Sequence, residues 1–368
     1  MKSRPNKQHR AGTITILSAV MMVVVFGMLA CAVDLGYLCV AKTELKRTAD
    51  ATALAAAWEL LEQSAAGNLT DDTTFGSGPV FDSALEICRA NPVCREAPEI
   101  AIQDLTVGYI ANPLDPTCPL TFENPAWFNA VRVRVHKSEA QNGAVPLFFA
   151  RAIGGRPGPL IEESTAVFIN SVCGVYPPKR NTNVMLLPFA LDINREDVKE
   201  FLAGTRETCN LFPQDLTPGN CGTIDFGGEN NSTADIARQI LSGVNSADWN
   251  ALKSAGKLDE NDRLTIPQFF NGDTGISAGV KDELASLINN PNGKRLIPLF
   301  DHVSGPGNNS QFHVVDLRCV TIEEVKLTGA KSAKRVIIKK ANKCTLGVVP
   351  STDPPRNQGI YSPVWLAR

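Results

Sequence analysis

Histidine, cysteine and carboxylate side chains are the groups best able to do chemistry, and their spacing in this chain offers little to a catalyst. The four histidines, His9, His136, His302 and His313, lack the paired spacing from which a helix or loop builds a metal centre. Asp301-His302 could be half of a site, but it reads as an exposed pair in a turn. Asp259, Asn261 and Arg263 follow the alternation of a calcium loop, yet Leu264 replaces the required glycine and Phe270 the terminal glutamate. There is no Walker A loop and no Gly-x-Gly-x-x-Gly run. The expectation is a protein that is not an enzyme, with no cofactor and no bound metal.

Two polar clusters point to ligands instead. Asp225-Phe226-Gly227-Gly228-Glu229-Asn230-Asn231 precedes a helix start, where an anion could sit, although a capped helix entrance is the simpler reading. Lys331, Lys334, Arg335, Lys339, Lys340 and Lys343 form a basic run. It reads as a solvated strand face, with an acidic envelope polymer or lipid headgroups as the alternative partner.

The elements that must carry these groups are bounded by bulk numbers. At 368 residues the chain exceeds one domain of about 100–200 residues, so an anchor plus two folded units is expected. A net charge of −2 and a pI near 6.1 leave no electrostatic footprint for nucleic acid. One segment departs from this average: no charge occurs from Ala11 to Val33, and Ile14 to Val33 is almost continuously apolar. About 20 helical residues rise roughly 30 Å, the thickness of a hydrocarbon core, so the lipid bilayer is the first partner. Lys2, Arg4, Lys7 and Arg10 precede it without an acid, whereas Asp34, Lys42, Glu44, Lys46, Arg47 and Asp50 mix signs beyond it. The positive-inside rule then places the N-terminus in the cytoplasm and the body outside. A cleaved signal ending at Ala30-Cys31-Ala32 would have an apolar core of only about 7–15 residues. A lipoprotein signal at Leu29-Ala30-Cys31 departs from its pattern at Met28. An uncleaved anchor is expected, with Asp34 at the outer interface.

Leu35 to Gln63 holds no proline and is rich in Ala, Leu, Glu, Lys and Thr, so the helix should continue outward. Leu45, Ala49, Ala53, Ala56 and Leu60 recur every three or four residues, a narrow face suited to close packing. Ala32 and Gly36 have the small-xxx-small spacing used between membrane helices. Packing on this chain's own body and assembly with neighbours both remain open.

These residues carry a resemblance. Arg10-Ala11-Gly12 before the apolar run, Ala32-Val33-Asp34-Leu35-Gly36 at its end, and Ala49-Asp50-Ala51 with Ala53-Leu54-Ala55-Ala56-Ala57 resemble the N-terminal region of TadE/TadG-like proteins of bacterial Flp (tight-adherence) pilus assembly. Val131-Arg132-Val133-Arg134-Val135, Pro146-Leu147-Phe148-Phe149-Ala150 and Ala166-Val167 are similar to the β-rich part that follows the anchor in that family. The resemblance implies a single-pass inner-membrane component, its body periplasmic or extracellular, working beside other pilus or envelope assembly proteins. Prepilin cleavage is not implied, because Leu17 stands where a glutamate is needed after Gly12. Nor is the metal-dependent adhesion of von Willebrand A domains, whose Asp-x-Ser-x-Ser run is missing. The alternatives are a membrane-tethered module for envelope polymers and, less favoured, a periplasmic hydrolase.

The expected fold class is α+β: one N-terminal transmembrane helix continuing into a long amphipathic helix, then an antiparallel-sheet-rich exported region. Residues 1–63 form tail, anchor and helical extension, and 64–98 a cysteine-containing connector. Residues 99–172 form a strand-rich region and 173–368 a C-terminal α+β region, the joint lying near Tyr176-Pro177-Pro178. Within them Val131 to Val135 and Leu160 to Ile169 read as strands, with a short helix over Pro146 to Ile153. Val184 to Leu191, Arg295 to Phe300, Phe312 to Leu327 and Arg335 to Lys339 also read as strands. Helices should start at Ser232 and just after Ser277.

Ten cysteines complete the reading. Cys31 and Cys39 belong to the anchor, and the exported remainder suits a disulfide framework. Many pairings are open, but local loops favour Cys88 with Cys94 and Cys209 with Cys221. Zinc would prefer a Cys-x-x-Cys spacing that is absent.

Overall fold

The structure, a computed structural model, describes residues 11–69, 78–154, 158–180, 182–211, 221–227, 232–273, 278–305, 310–330, 333–356 and 358–367. The basic tail therefore lies outside the described residues. Helix α1 (Ala11–Ala66) runs unbroken for 56 residues, about 84 Å at the usual rise. No proline interrupts it, as the sequence requires. Its two parts live in different surroundings. From Ile14 to Val33 the large apolar side chains are exposed and nothing in the body covers them. From Ala41 onward one face is buried, carrying Leu45, Ala49, Ala53, Ala56, Leu60 and Leu61.

That face is covered by α2 (Pro79–Ala90), through Val80, Ala84 and Cys88, and by an antiparallel sheet of β1 (Leu105–Gly108), β2 (Ala130–Lys137) and β3 (Leu160–Val167). Val131, Val133 and Val135 point onto the helix and Arg132, Arg134 and His136 away, the period-2 alternation of a half-buried strand. Alanine matters here because each missing side chain lets the sheet approach the helix backbone. The fourth strand of this sheet, Trp365–Leu366, comes from the far end of the chain and pairs with β3. The first sheet is thus completed by residues outside 99–172.

The second half opens with β4 (Val172–Val175), which pairs with Val348–Pro350 and with a short strand at Leu264–Thr265. A larger sheet follows, made of β5 (Phe189–Asp192), β6 (Thr208–Asn210), β7 (Cys221–Ile224), β9 (Gln268–Asp273), β10 (Arg295–Ser304), β11 (Ser310–Lys326) and β12 (Arg335–Lys340), with β8 being Leu264–Thr265. β10 pairs with both β5 and β11, so β10, β5, β7, β9 and β11 close a ring, and β12 and β6 extend outward from β11. β11 can serve three neighbours because it is 17 residues long. The pairings are antiparallel except β5 with β10 and a two-residue pair at Cys344–Thr345 and Ile360–Tyr361. Inside the ring Phe312 stands against Phe300, ring centroids 5.0 Å apart, and against Gly222 and Gly272. A Cβ at either glycine would collide with the Phe312 ring, so these two positions are small in order to admit it.

Helices α3 (Glu196–Ala203), α4 (Thr233–Ser242), α5 (Ser246–Ser254) and α6 (Lys281–Ala285) accompany the larger sheet. Ser232 caps α4 by accepting the Asp235 N–H at 3.2 Å, the start that the sequence predicts. Ser277 lies outside the described residues, and the helix expected after it is shorter, a single turn at Ala278–Val280 and then α6. Sequence reading misses α2, α3 and α5. The Pro146 to Ile153 helix shrinks to one 3₁₀ turn, Ala150–Ile153.

Candidate functional site

The part of the molecule least like an ordinary globular protein is the junction where the bare half of α1 meets the body. Asp34 sits there, only 6% exposed, on the first turn of α1 that the body touches. Its carboxylate accepts the Phe148 N–H at 2.8 Å, the Phe149 N–H at 3.2 and 3.1 Å through its two oxygens, and the Ala150 N–H at 2.6 Å. These donors open the 3₁₀ turn at Ala150–Ile153, whose first N–H groups have no partner within the turn. A charged acceptor there satisfies them and meets the positive end of the turn's dipole. Tyr37 adds an edge-on contact to Phe148 at 5.3 Å. The Phe148 and Phe149 rings are 59% and 49% exposed, so the loop is pinned by its backbone while its aromatic side chains face outward beside the apolar helix. Sequence reading placed Asp34 at an interface and found no partner for it. The spacing of 114 residues to Phe148 carries no local signal.

The small-residue positions divide between two roles. Leu45, Ala49, Ala53 and Ala56 are fully buried in this chain's own core, so of the two readings left open for that stripe the fold uses the intrachain one. Ala32 and Gly36 are exposed, and a Cβ added at Gly36 meets nothing within 4 Å. Polar ties hold the buried stretch of α1 in place. Lys46 donates to the Glu163 carbonyl at 2.8 Å, Thr48 to the Asn91 carbonyl at 3.0 Å, and Glu44 accepts the Cys94 N–H at 2.8 Å. From the second half Lys343 pairs with Glu62, and the Tyr361 hydroxyl lies 3.4 Å from Ser64. The arrangement makes one rod of the exposed helix and the body's core.

The expected cysteine bridges are corrected. Cys88, Cys94 and Cys209 are free thiols, and among the described residues a disulfide joins Cys319 to Cys344. Cys88 faces inward from the last turn of α2 onto α1, and burial pushes its thiol up to about 11. Cys94 turns at positive φ with its N–H given to Glu44. Cys209 is buried against the Asp197 carboxylate, and burial together with that negative charge pushes its thiol up to about 12. Thiols held protonated are poor partners for exchange. The side chain of Cys221 lies outside the described residues. Pairing of β11 with β12, which ends four residues before Cys344, brings together two cysteines that are 25 residues apart, a distance that local loop reading passes over.

The other candidates are absorbed by the fold. Asp259 accepts the Asn261 and Arg263 N–H groups and pairs with the Arg263 guanidinium at 2.7 Å, a self-contained turn. Asp225 accepts the Gly227 N–H at 2.8 Å, and residues 228–231 of its loop lie outside the described residues. In the basic run Arg335 pairs with Glu324, Lys339 with Glu323 and Lys343 with Glu62, while Lys340 donates to the Leu202 carbonyl. Four of its charges thus have partners within the chain. Asp301 and His302 lie in β10, which extends to Ser304, and not in the expected turn.

The N-terminal region has relatives. Residues 12–59 match the Flp pilus-assembly TadE/G-like family, and residues 43–166 match the Tad-like Flp pilus-assembly family. No curated protein and no solved structure matches the chain. The two family regions overlap within the buried half of α1, and the second ends in the last residues of β3, so together they cover α1, α2 and the three consecutive strands. From residue 12 to residue 166 the chain therefore matches the Tad families of Flp pilus assembly.

Proposed function

We propose that this protein is a non-catalytic, membrane-anchored structural component of a bacterial Flp/Tad-type pilus or envelope assembly apparatus. The observation that carries the reading is the continuity of α1: the same uninterrupted helix is bare and apolar where a bilayer would lie and forms the core of the body beyond it. A separate linker would let the body swing, whereas a shared helix transmits force and fixes orientation. The Asp34 clamp supports this by fastening the body at the base of the bare segment, with Phe148 and Phe149 at the level where aromatic side chains favour a membrane interface. The flanking charges support a cytoplasmic N-terminus and a periplasmic or extracellular body. Ala32 and Gly36, uncovered on the bare segment, suit close approach of a neighbouring membrane helix from another assembly protein. The polymer-binding alternative is less favoured, because much of its basic surface is neutralised internally.

The test combines topology with partnership. A reporter active only outside the cytoplasm, fused after Arg368, should work, and a photo-crosslinker at position 36 should capture a pilus-assembly subunit in cells. An inactive C-terminal reporter with an active cytoplasmic one would reverse the orientation. Crosslinks to lipid alone would remove the assembly role.

A further inference from the structure

The outer face of the strand ring carries a cluster that the function above does not use. Along β10 the register slips between Phe300 and His302, leaving Asp301 as the extra residue of a bulge. Phe300 points inward, paired with Val314, and Val303 packs inward again after the bulge. The phase change puts Asp301 and His302 on the same outer face, directly opposite His313 of β11. Asp301 Oδ1 lies 2.8 Å from His302 Nδ1 and 2.7 Å from His313 Nδ1. The two imidazoles are 4.8 Å apart, centroid to centroid, and Phe269 of β9, cross-strand neighbour of His313, covers both at 5.6 and 4.6 Å. Asn194 fixes the bulge by donating to the Asp301 carbonyl at 2.6 Å.

We propose that Asp301, His302 and His313 form a binding site for a divalent transition metal ion, Zn²⁺ being the species that this donor set suits. Two imidazole nitrogens and one carboxylate oxygen, all within 4.8 Å of one another, are a borderline-soft set of three. Zinc–nitrogen and zinc–oxygen bonds of about 2.0–2.2 Å would need each nitrogen to draw off the carboxylate oxygen by about half an ångström and, since the donor atoms now spread to 4.8 Å, the two imidazoles to draw together, both by side-chain rotation. The metal replaces the protons now shared between each Nδ1 and Asp301. His302 is the most exposed of the three, so the fourth coordination position opens to solvent and takes water or an external ligand. The bulge gives the arrangement a reason: regular alternation would turn either Asp301 or His302 away from His313.

The experiment is a Zn²⁺ titration of the full-length protein in detergent micelles, with accessible thiols alkylated, read by calorimetry and by competition with a chromophoric chelator. One equivalent should bind, and Co²⁺ in its place should give the visible bands of a low-coordinate site. His302→Gln, His313→Gln and Asp301→Asn should each weaken binding by at least about tenfold, while His136→Gln leaves it unchanged. Circular dichroism and the thermal melt of each variant in the absence of metal report folding. Because His302 is exposed, its variant keeps the test sharp even if His313→Gln unfolds. Failure to bind saturably, or binding insensitive to all three substitutions, overturns the site.

Discussion

Asp34 and Phe148, 114 residues apart, are joined by a hydrogen bond of 2.8 Å from the Phe148 N–H to the Asp34 carboxylate, so the first charged residue beyond the bare helix segment is also the cap of a loop in the body. Removing this acceptor strands three neighbouring N–H groups at once. Asp34→Ala should raise hydrogen exchange at residues 148–150 by roughly 10- to 100-fold, corresponding to about 1–3 kcal/mol of local stability. Asp34→Asn should lose less, since its carbonyl oxygen still accepts. Unchanged exchange in both variants would mean that the clamp does not hold the loop.

The two kinds of small residue should respond differently to enlargement. Ala53→Leu forces extra volume between α1 and the first sheet and should destabilise the body by about 1–3 kcal/mol in denaturant unfolding. Gly36→Leu enters open space and should leave that unfolding curve within about 0.5 kcal/mol of the parent. Equal effects would contradict the division of the helix into buried and bare parts.

Non-reduced peptide mapping should recover a Cys319–Cys344 link, with Cys88 and Cys209 resisting alkylation until the chain is unfolded. Cys319→Ser should cost about 3 kcal/mol, as expected for a closed loop of this size. A recovered Cys88–Cys94 peptide pair would reinstate the local pairing.

Lys340 provides a pH signature. Burial, with the nearby Arg318 charge, brings its pKa down from 10.5 to about 8. Between those values the unfolded chain holds the proton that the folded chain has lost, so stability should rise with pH through that window. Lys340→Met should remove this rise and be more stable than the parent at neutral pH. Chemical denaturation at pH values from about 7 to 10 measures both. A parent whose stability is flat with pH across that interval would refute the assignment.

Sequence by itself determined the features that depend on local periodicity and length. The apolar run from Ile14 to Val33, the proline-free extension, the three-and-four spacing of Leu45, Ala49, Ala53 and Ala56, and the alternation of Val131, Val133 and Val135 each state what one element must be. A helix or strand writes its own period into its residues, so these were legible. Only the tertiary structure decided which surface each element meets. It assigned the alanine stripe to this chain's own sheet, returned Trp365–Leu366 to β3, and joined Cys319 to Cys344 in place of the neighbours Cys88 and Cys94. It also set His302 opposite His313 through a one-residue bulge and gave Asp34 its partners across 114 residues. The physical reason is common to all of these: strand register and chain return are fixed by the summed burial of distant side chains, and no single local pattern encodes that sum.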